Sequence, residues 1–269
     1  MLKIRIMARS VITVVLSVTL LVAVGALAQP PQQTSQIDKP TIYQIGEYLH
    51  INASGPRPLL QAVEAVQQKF GWAVDYEDPQ YIVAPENPAA RPSPPHRLRS
   101  MAQTGNANGG FSLQFQLGAN PNAAPDEQKL LAALVDAFNQ NSSTAQFKLL
   151  PQKNGGFAIV GVEAQNANGQ MVAQQPLLDL PITLSRQQRS AADAIAAIAR
   201  QLSQQSGLTV STHVAASVPS STSVIIGGNA APARELLLQA LSTLGGKAYW
   251  RLLYNADSKS YELNIKLAP

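Results

Sequence analysis

Apolar and polar positions in the second half of the chain follow two periods. Leu180, Ile182 and Leu184 alternate with polar residues, which is typical of a half-buried strand. Apolar residues then recur at helical spacing, and Gly207 supplies the left-handed residue that ends many helices. The pattern predicts a helix over 190–206, strands over 208–213 and 223–226, a helix beginning at Pro232, and a hairpin of strands over 248–254 and 260–267.

The first half of the chain repeats this order of elements. Its pattern predicts a strand over 47–53, a helix over 58–70, a strand over 72–76, a strand over 111–117, a helix over 125–140, and a hairpin of strands over 146–150 and 156–163. Each half therefore has the order βαββαββ. The predicted fold class is α+β, with two such repeats whose helices pack against small mixed or antiparallel sheets.

Matching segments indicate that the two halves arose by internal duplication. Asn-Ala-Ala-Pro at 122–125 recurs at 229–232, and a Leu-rich helix follows each copy. The hairpin strands match at offsets of 103 and 104 residues, whereas Gly71-Trp72 answers Gly207-Leu208 at an offset of 136. The larger offset arises because a Pro-rich insert over 79–108 has no counterpart in the second half, and a surface loop tolerates such an insert at little entropic cost.

The matches also set the predicted domain boundaries. We expect the first repeat to span 42–163, including the insert 79–108, and the second repeat to span 177–269, each with its own apolar interior. The polar, turn-rich residues 164–176 are predicted to be a linker. Residues 29–41 are predicted to be a disordered N-terminal segment.

The first 28 residues have the pattern of a secretory signal peptide. Lys3, Arg5 and Arg9 precede an apolar stretch that ends in Ala26-Leu27-Ala28. We predict cleavage after Ala28 and a periplasmic or secreted protein that meets the membrane only through this leader. The alternative is an uncleaved N-terminal anchor in the inner membrane, since 18 apolar residues are close to the shortest length that spans a bilayer.

The apolar pattern of both halves resembles the short N-terminal domain of secretins and TonB-dependent receptors. The resemblance implies that each copy holds two helices between a two-stranded and a three-stranded sheet, and that the protein contacts other envelope proteins. No pore domain or receptor barrel follows in this sequence, so we expect a free-standing tandem pair. The residues that carry the resemblance are Ile182, Thr183, Leu184, Ala194, Ile195, Ile198, Ala199, Gly207, Leu208, Thr209, Val210, Leu237, Leu238 and Leu241, with Leu59, Val63, Val66, Gly71, Trp72, Val74, Leu131 and Leu134 in the first half.

Composition excludes several kinds of site. The chain has no cysteine, which excludes disulfides, thiolate metal sites, cysteine nucleophiles and a lipid-modified N-terminal cysteine. The net charge of +4 falls to +1 once the leader is removed, because three of the 20 basic residues lie in it. A nucleic-acid partner is therefore not expected, since it requires a concentration of basic residues.

The candidate catalytic residues lack the patterns that catalysis needs. His50, His96 and His213 are far apart in the sequence and carry no metal-binding or triad motif. The acidic group of Asp75, Glu77 and Asp78 suits calcium or acid–base chemistry, but its alternation predicts a solvated strand end. Gly227-Gly228-Asn229 resembles a phosphate-binding turn without the P-loop lysine and is predicted to be a plain strand-to-helix turn. We expect no enzymatic activity, no metal and no cofactor.

The insert is the candidate partner-binding segment. Arg91, His96, Arg97 and Arg99 alternate with prolines there, and Pro-rich chains bind partner grooves at low entropic cost. The bland alternative is a solvated loop.

Three functional hypotheses follow, in decreasing order of support. The first is a non-catalytic envelope protein that binds another envelope protein through sheet edges and the insert. The second is a binder of small ligands or cell-wall glycans, with a site between the repeats. The third is an unrecognised hydrolase. The second would use as stacking platforms the aromatic residues Trp72, Trp250, Tyr249 and Tyr254.

Overall fold

The chain folds as a mixed α+β structure. The computed structural model describes residues 39–80, 110–118, 123–166, 168–219, 221–244 and 247–268. Four α-helices and several sheets make up this part. The leader, residues 29–38 of the segment predicted to be disordered, and nearly the whole insert lie outside it.

Two α-helices of the first half begin and end where local signals require. The first, α1 (Pro58–Phe70), has Pro58 in its first turn and ends on left-handed Gly71, with φ of 65°. The second, α2 (Glu127–Asn141), is capped by the Asp126 carboxylate, which accepts from the Lys129 N–H. The strands of this half are β1 (Thr41–Ile45), β2 (Tyr48–Ala53), β3 (Val74–Glu77), β4 (Phe111–Gln116), β5 (Ala145–Pro151), β6 (Phe157–Gln165) and β7 (Met171–Ala173).

The second half begins with a short 3₁₀ turn at Leu177–Asp179. Its helix α3 (Ala191–Ser206) starts at Ser190, whose hydroxyl accepts from the Asp193 N–H, and ends on left-handed Gly207. The remaining elements are β8 (Pro181–Ser190), β9 (Thr209–Val214), β10 (Ser223–Pro232), α4 (Ala233–Leu241), β11 (Ala248–Asn255) and β12 (Ser260–Leu267).

The strands form three sheets. In the first, β1, β2 and β4 pair antiparallel, and in the second β8 pairs antiparallel with β10. The third and largest has the order β5-β6-β3-β11-β12-β9, with β7 paired to the end of β6. Within it β3 is parallel to both β6 and β11, and β9 is parallel to β12. The pairs β5–β6 and β11–β12 are antiparallel hairpins.

Three segments differ from the sequence-based expectation. Strand β1 was not predicted, because only Gly46 and Glu47 separate it from β2 and the preceding sequence is polar. Strand β7 lies within the predicted linker 164–176, as does the end of β6. Strand β10 runs to Pro232 rather than Ile226, with two register irregularities that accommodate its glycines.

The buried apolar residues of both halves form one continuous cluster, so the expectation of two separate interiors is wrong. Strands of both halves pair in the large sheet, and their apolar side chains pack in the same core. Tyr76, Phe147 and Trp250 are among the largest fully buried side chains of this core. Among the helices that the structure describes, none has the length and apolarity needed to cross a membrane.

Candidate functional site

The densest group of buried charges lies where β3 pairs with β11. Asp75, Glu77 and Asp78, on β3 and directly after it, are only 5%, 0% and 1% exposed. The prediction of a solvated strand end is therefore wrong. Alternation implies one solvent face only when a sheet is covered on one side, and β3 is an interior strand with neighbours on both edges and buried residues on both faces.

Two of these carboxylates accept hydrogen bonds from the main chain of β11. Asp75 Oδ1 accepts from the Trp250 N–H at 2.8 Å, and Asp78 Oδ2 accepts from the Tyr254 N–H at 3.1 Å. Between them the strands pair directly, with Tyr76 opposite Arg251 and Glu77 opposite Leu252. The short parallel ladder is thus extended at both ends by side-chain carboxylates.

Arginines from two helix starts complete the group. Arg234 at the start of α4 donates to Glu77 at 2.8 Å and to Asp179 at 2.8 Å. Arg57, the residue before α1, donates to Asp78 at 2.9 Å and to the Tyr254 carbonyl at 2.7 Å. We call the junction the group of bridging side chains where β3 pairs with β11, namely Arg57, Asp75, Glu77, Asp78 and Arg234.

The other oxygens of Asp75 and Glu77 also have donors. Gln152 Nε2 donates to Asp75 Oδ2 at 2.6 Å, and the Leu178 N–H donates to Glu77 Oε1 at 3.1 Å. Beside the junction, Arg251 on β11 donates to Gln67 Oε1 of α1 at 2.9 Å and forms an ion pair with Glu64. Buried charges are tolerated when they are paired and hydrogen-bonded, and most of these atoms meet that condition. Arg234 Nη1 and Arg251 Nε are buried without a hydrogen-bond partner among the described residues.

Burial sets the protonation behaviour of this region. Burial raises the pKa of Asp75 to about 7, although hydrogen bonds from Trp250 and Gln152 act to lower it. Burial also acts to lower the pKa of Arg234, but the Glu77 and Asp179 carboxylates outweigh it and raise that pKa above its ordinary value. Burial lowers the pKa of Arg251 to about 10. Both arginines are therefore charged at neutral pH, and Asp75 titrates near it.

This arrangement fixes the position of one strand against another. Each acid is buried and accepts hydrogen bonds from the protein itself, chiefly from β11, α4 and the residue before α1. The group contains acids and arginines but no histidine. Among the described residues, no set of three or more metal-ligating side chains converges.

The histidines do not converge on the junction. His50, on β2, is partly exposed and stacks on Tyr43, with ring centroids 5.1 Å apart. His213 is exposed on β9. His96 and the candidate partner-binding residues Arg91, Arg97 and Arg99 lie outside the described residues.

Two further expectations change with the structure. Gly227-Gly228-Asn229 lies within β10 rather than in a turn, and a Cβ on Gly227 would fall 2.3 Å from the Arg186 Cα of β8. That glycine permits the close approach of two strands. The proposed stacking platforms Trp72, Tyr249, Trp250 and Tyr254 are all buried, at 8% exposure or less, so they present no open aromatic face.

Sequence reasoning missed the arginines of the junction. A signal for one residue beside it existed, because Arg251 stands in the otherwise apolar run of β11, where a charged side chain requires a partner. Asp75 and Glu77 gave the complementary signal in β3. The two segments are 175 residues apart, and nothing in either one identifies the other as its neighbour.

A shallow groove of about 490 Å³ lies away from the junction, along the outer edge of β5 and against α2. Asn139 of α2 lies in it and closes part of that edge. Its Oδ1 accepts from the Phe147 N–H at 2.9 Å, and its Nδ2 donates to the Phe147 carbonyl at 2.8 Å.

Comparisons with protein-family models, with curated proteins and with solved structures find no match for this chain.

Proposed function

We propose that the chain is an exported, non-catalytic protein of the bacterial envelope that contains two copies of one βαββαββ unit and binds another envelope protein along a sheet edge. Export rests on the leader, and the binding role rests on the strand arrangement. The buried, internally paired state of the junction acids favours a structural role for them over a catalytic one.

Recurring strand pairing supports the duplication. In the first half β3 is parallel to β6, and β6 forms a hairpin with β5; in the second half β9 is parallel to β12, and β12 forms a hairpin with β11. The registers agree with the sequence offsets. Val74 lies opposite Phe157, and Val210 lies opposite Tyr261. The smaller sheets also correspond, since β2 pairs with β4 and β8 with β10.

The outer edge of β9 is the observation that carries the binding proposal. The Ala215 N–H donates to Ile265 of β12, so by alternation the N–H groups of Thr212 and Val214 face away from β12. No strand pairs with this edge in the part of the chain that the structure describes. The corresponding edge of β3 is the one that pairs with β11, so β9 offers main-chain groups of a kind that already pair elsewhere in the molecule.

The side chains of β9 define the partner further. Under the duplication, Ser211 and His213 take the places of Asp75 and Glu77. This edge therefore lacks the carboxylate that accepts from the Trp250 N–H and the one that pairs with Arg234. The strand has no proline, lysine or acid, which are the residues that usually protect an exposed edge. We therefore propose an extended segment of another envelope protein, added parallel to β9 through main-chain hydrogen bonds and with uncharged side chains beside Ser211 and His213.

A photo-crosslinking residue at Thr212 in the native bacterium tests this proposal. We expect an adduct with one envelope protein, whose purified form binds the intact chain and loses binding to Thr212→Pro. The same probe at Arg200, exposed on α3, is the control. No adduct at Thr212, equal adducts at both positions, or binding that Thr212→Pro leaves unchanged would refute the proposal. Export is checked separately, because the periplasmic form should begin at Gln29.

A further inference from the structure

The large sheet ends in two outer edges that correspond to the two edges joined inside it. Under the proposed duplication, on which this inference rests, β9 corresponds to β3 and β5 corresponds to β11. The paired edges meet in the middle of the sheet, and the edges of the same two kinds at its ends have no strand partner among the described residues. A second copy of the chain could therefore add its β9 to β5 and repeat the β3–β11 pairing head to tail, which is the geometry of an open fibre.

The N–H groups that would receive such a strand can be followed one by one. On β11 the groups that face β3 belong to Trp250, Leu252 and Tyr254. Their counterparts on the outer edge of β5 are Phe147, Leu149 and Pro151. The Gln152 N–H donates to Gly156 of β6, and by alternation these three positions face outward.

Two of the three positions on β5 cannot donate to a partner. Both main-chain groups of Phe147 are occupied by the Asn139 side chain, and Pro151 has no N–H. At the corresponding positions of β11, Trp250 and Tyr254 donate to Asp75 and Asp78. Only Leu149 keeps an outward N–H on β5.

We propose that Asn139 is a guard residue that prevents a second copy of the chain from adding its β9 strand to β5. Its amide imitates one residue of a partner strand, because it provides one acceptor and one donor to the same main-chain position. The amide occupies the Phe147 carbonyl, which an added strand would use as an acceptor, and so acts on the hydrogen-bonding groups of this edge.

Asn139→Ala is the main test, with the folded state of each variant checked by circular dichroism. We expect the intact chain to sediment as a monomer and Asn139→Ala to form larger species as its concentration rises. The self-association constant of the variant should exceed that of the intact chain by about tenfold or more. Asn141→Ala is the matched control, since Asn141 lies on the same helix and its amide donates only to the Ala137 carbonyl of its own helix. If Asn139→Ala does not fold, Asn139→Asp takes its place. Its carboxylate still accepts from the Phe147 N–H but cannot donate to the Phe147 carbonyl, so that carbonyl becomes free for an added strand and the variant should also associate.

A mixing experiment defines the geometry of the contact. The double variant Asn139→Ala/Thr212→Pro has an open β5 and a blocked β9, so it should not associate with itself. Mixed with the intact chain, whose β9 is open, it should form a discrete 1:1 complex and nothing larger. The proposal fails if folded Asn139→Ala stays monomeric, if folded Asn139→Asp stays monomeric where Asn139→Ala does not fold, or if the double variant still associates with itself. The Thr212 crosslink in cells would survive that failure, so the two proposals are tested independently.

Discussion

The large sheet has one internal junction and two outer edges. The main-chain groups at the three places are similar, but the side chains around them differ. At the junction, carboxylates and arginines bind across β3 and β11. At β5, a side-chain amide and a proline occupy or remove the donors. At β9, hydroxyls and a histidine leave the outer donors of Thr212 and Val214 without a strand partner among the described residues.

This comparison indicates that side chains, rather than main-chain geometry, decide which edges pair. Every strand edge offers the same N–H and C=O groups, so an edge by itself gives no choice of partner. The buried acids of β3 make the pairing selective. A strand edge is a favourable neighbour for them only if arginines lie close to it. A buried ion pair of this kind contributes more to specificity than to stability, which is a hypothesis that substitution can test.

The largest effect is expected from Arg234→Ala, which would break the junction. Glu77 is fully buried and would lose its cation, so the free energy of unfolding should fall by about 3–5 kcal/mol. Urea denaturation measures this change. Lys153→Ala is the control, because the Lys153–Glu235 pair is exposed and should contribute less than about 1 kcal/mol.

The double variant Arg234→Met/Glu77→Leu separates charge from packing. With both charges removed, it should be clearly more stable than Arg234→Ala alone. If Arg234→Ala costs no more than the control substitution, the ion pairs do not hold the junction together.

The pH dependence of stability sharpens the comparison at Asp75. Its folded pKa of about 7 lies above the ordinary value of 3.8, so the unfolded chain releases the proton first as pH rises. The contribution of Asp75 to the free energy of unfolding should therefore fall between about pH 4 and pH 7, by up to about 4 kcal/mol at 1.4 kcal/mol per pKa unit, and should stay constant above pH 7. Burial also raises the pKa of Glu77 and Asp78, so comparison with a variant at Asp75 is needed to isolate this contribution.

Asp75→Asn removes this titration. The free energy of unfolding of the intact chain minus that of Asp75→Asn should decline over the same pH interval. Asp136→Asn, at an exposed carboxyl on α2, is the control, and its own free energy of unfolding should decline with pH as that of the intact chain does. A difference that is flat from pH 4 to 7 would show that Asp75 does not titrate there.

The sequence allowed more of the fold than of the junction to be predicted. The α1 helix was predicted with its observed ends because proline and glycine mark both of them locally. Apolar alternation likewise placed β11 and β12. The contact between β3 and β11 depends on two distant edges meeting, and periodicity carries no information about that meeting. The same limit explains the error at Asp75, whose solvent-facing assignment assumed a strand covered on one side only.

The smallest of these effects comes from proline at two adjacent positions of β9, where it tests whether the strand is an edge. The Ser211 N–H faces β12, so Ser211→Pro should remove a ladder hydrogen bond and cost about 1–3 kcal/mol. Thr212→Pro should cost less than about 1 kcal/mol, because the Thr212 N–H faces outward and edge strands tolerate proline there. Ser211→Ala controls for the Ser211 hydroxyl, which donates to the Tyr261 carbonyl. Thermal unfolding of the three variants measures the contrast, and equal losses for both prolines would mean that the outer side of β9 is already paired, which removes the basis for a partner strand at this edge.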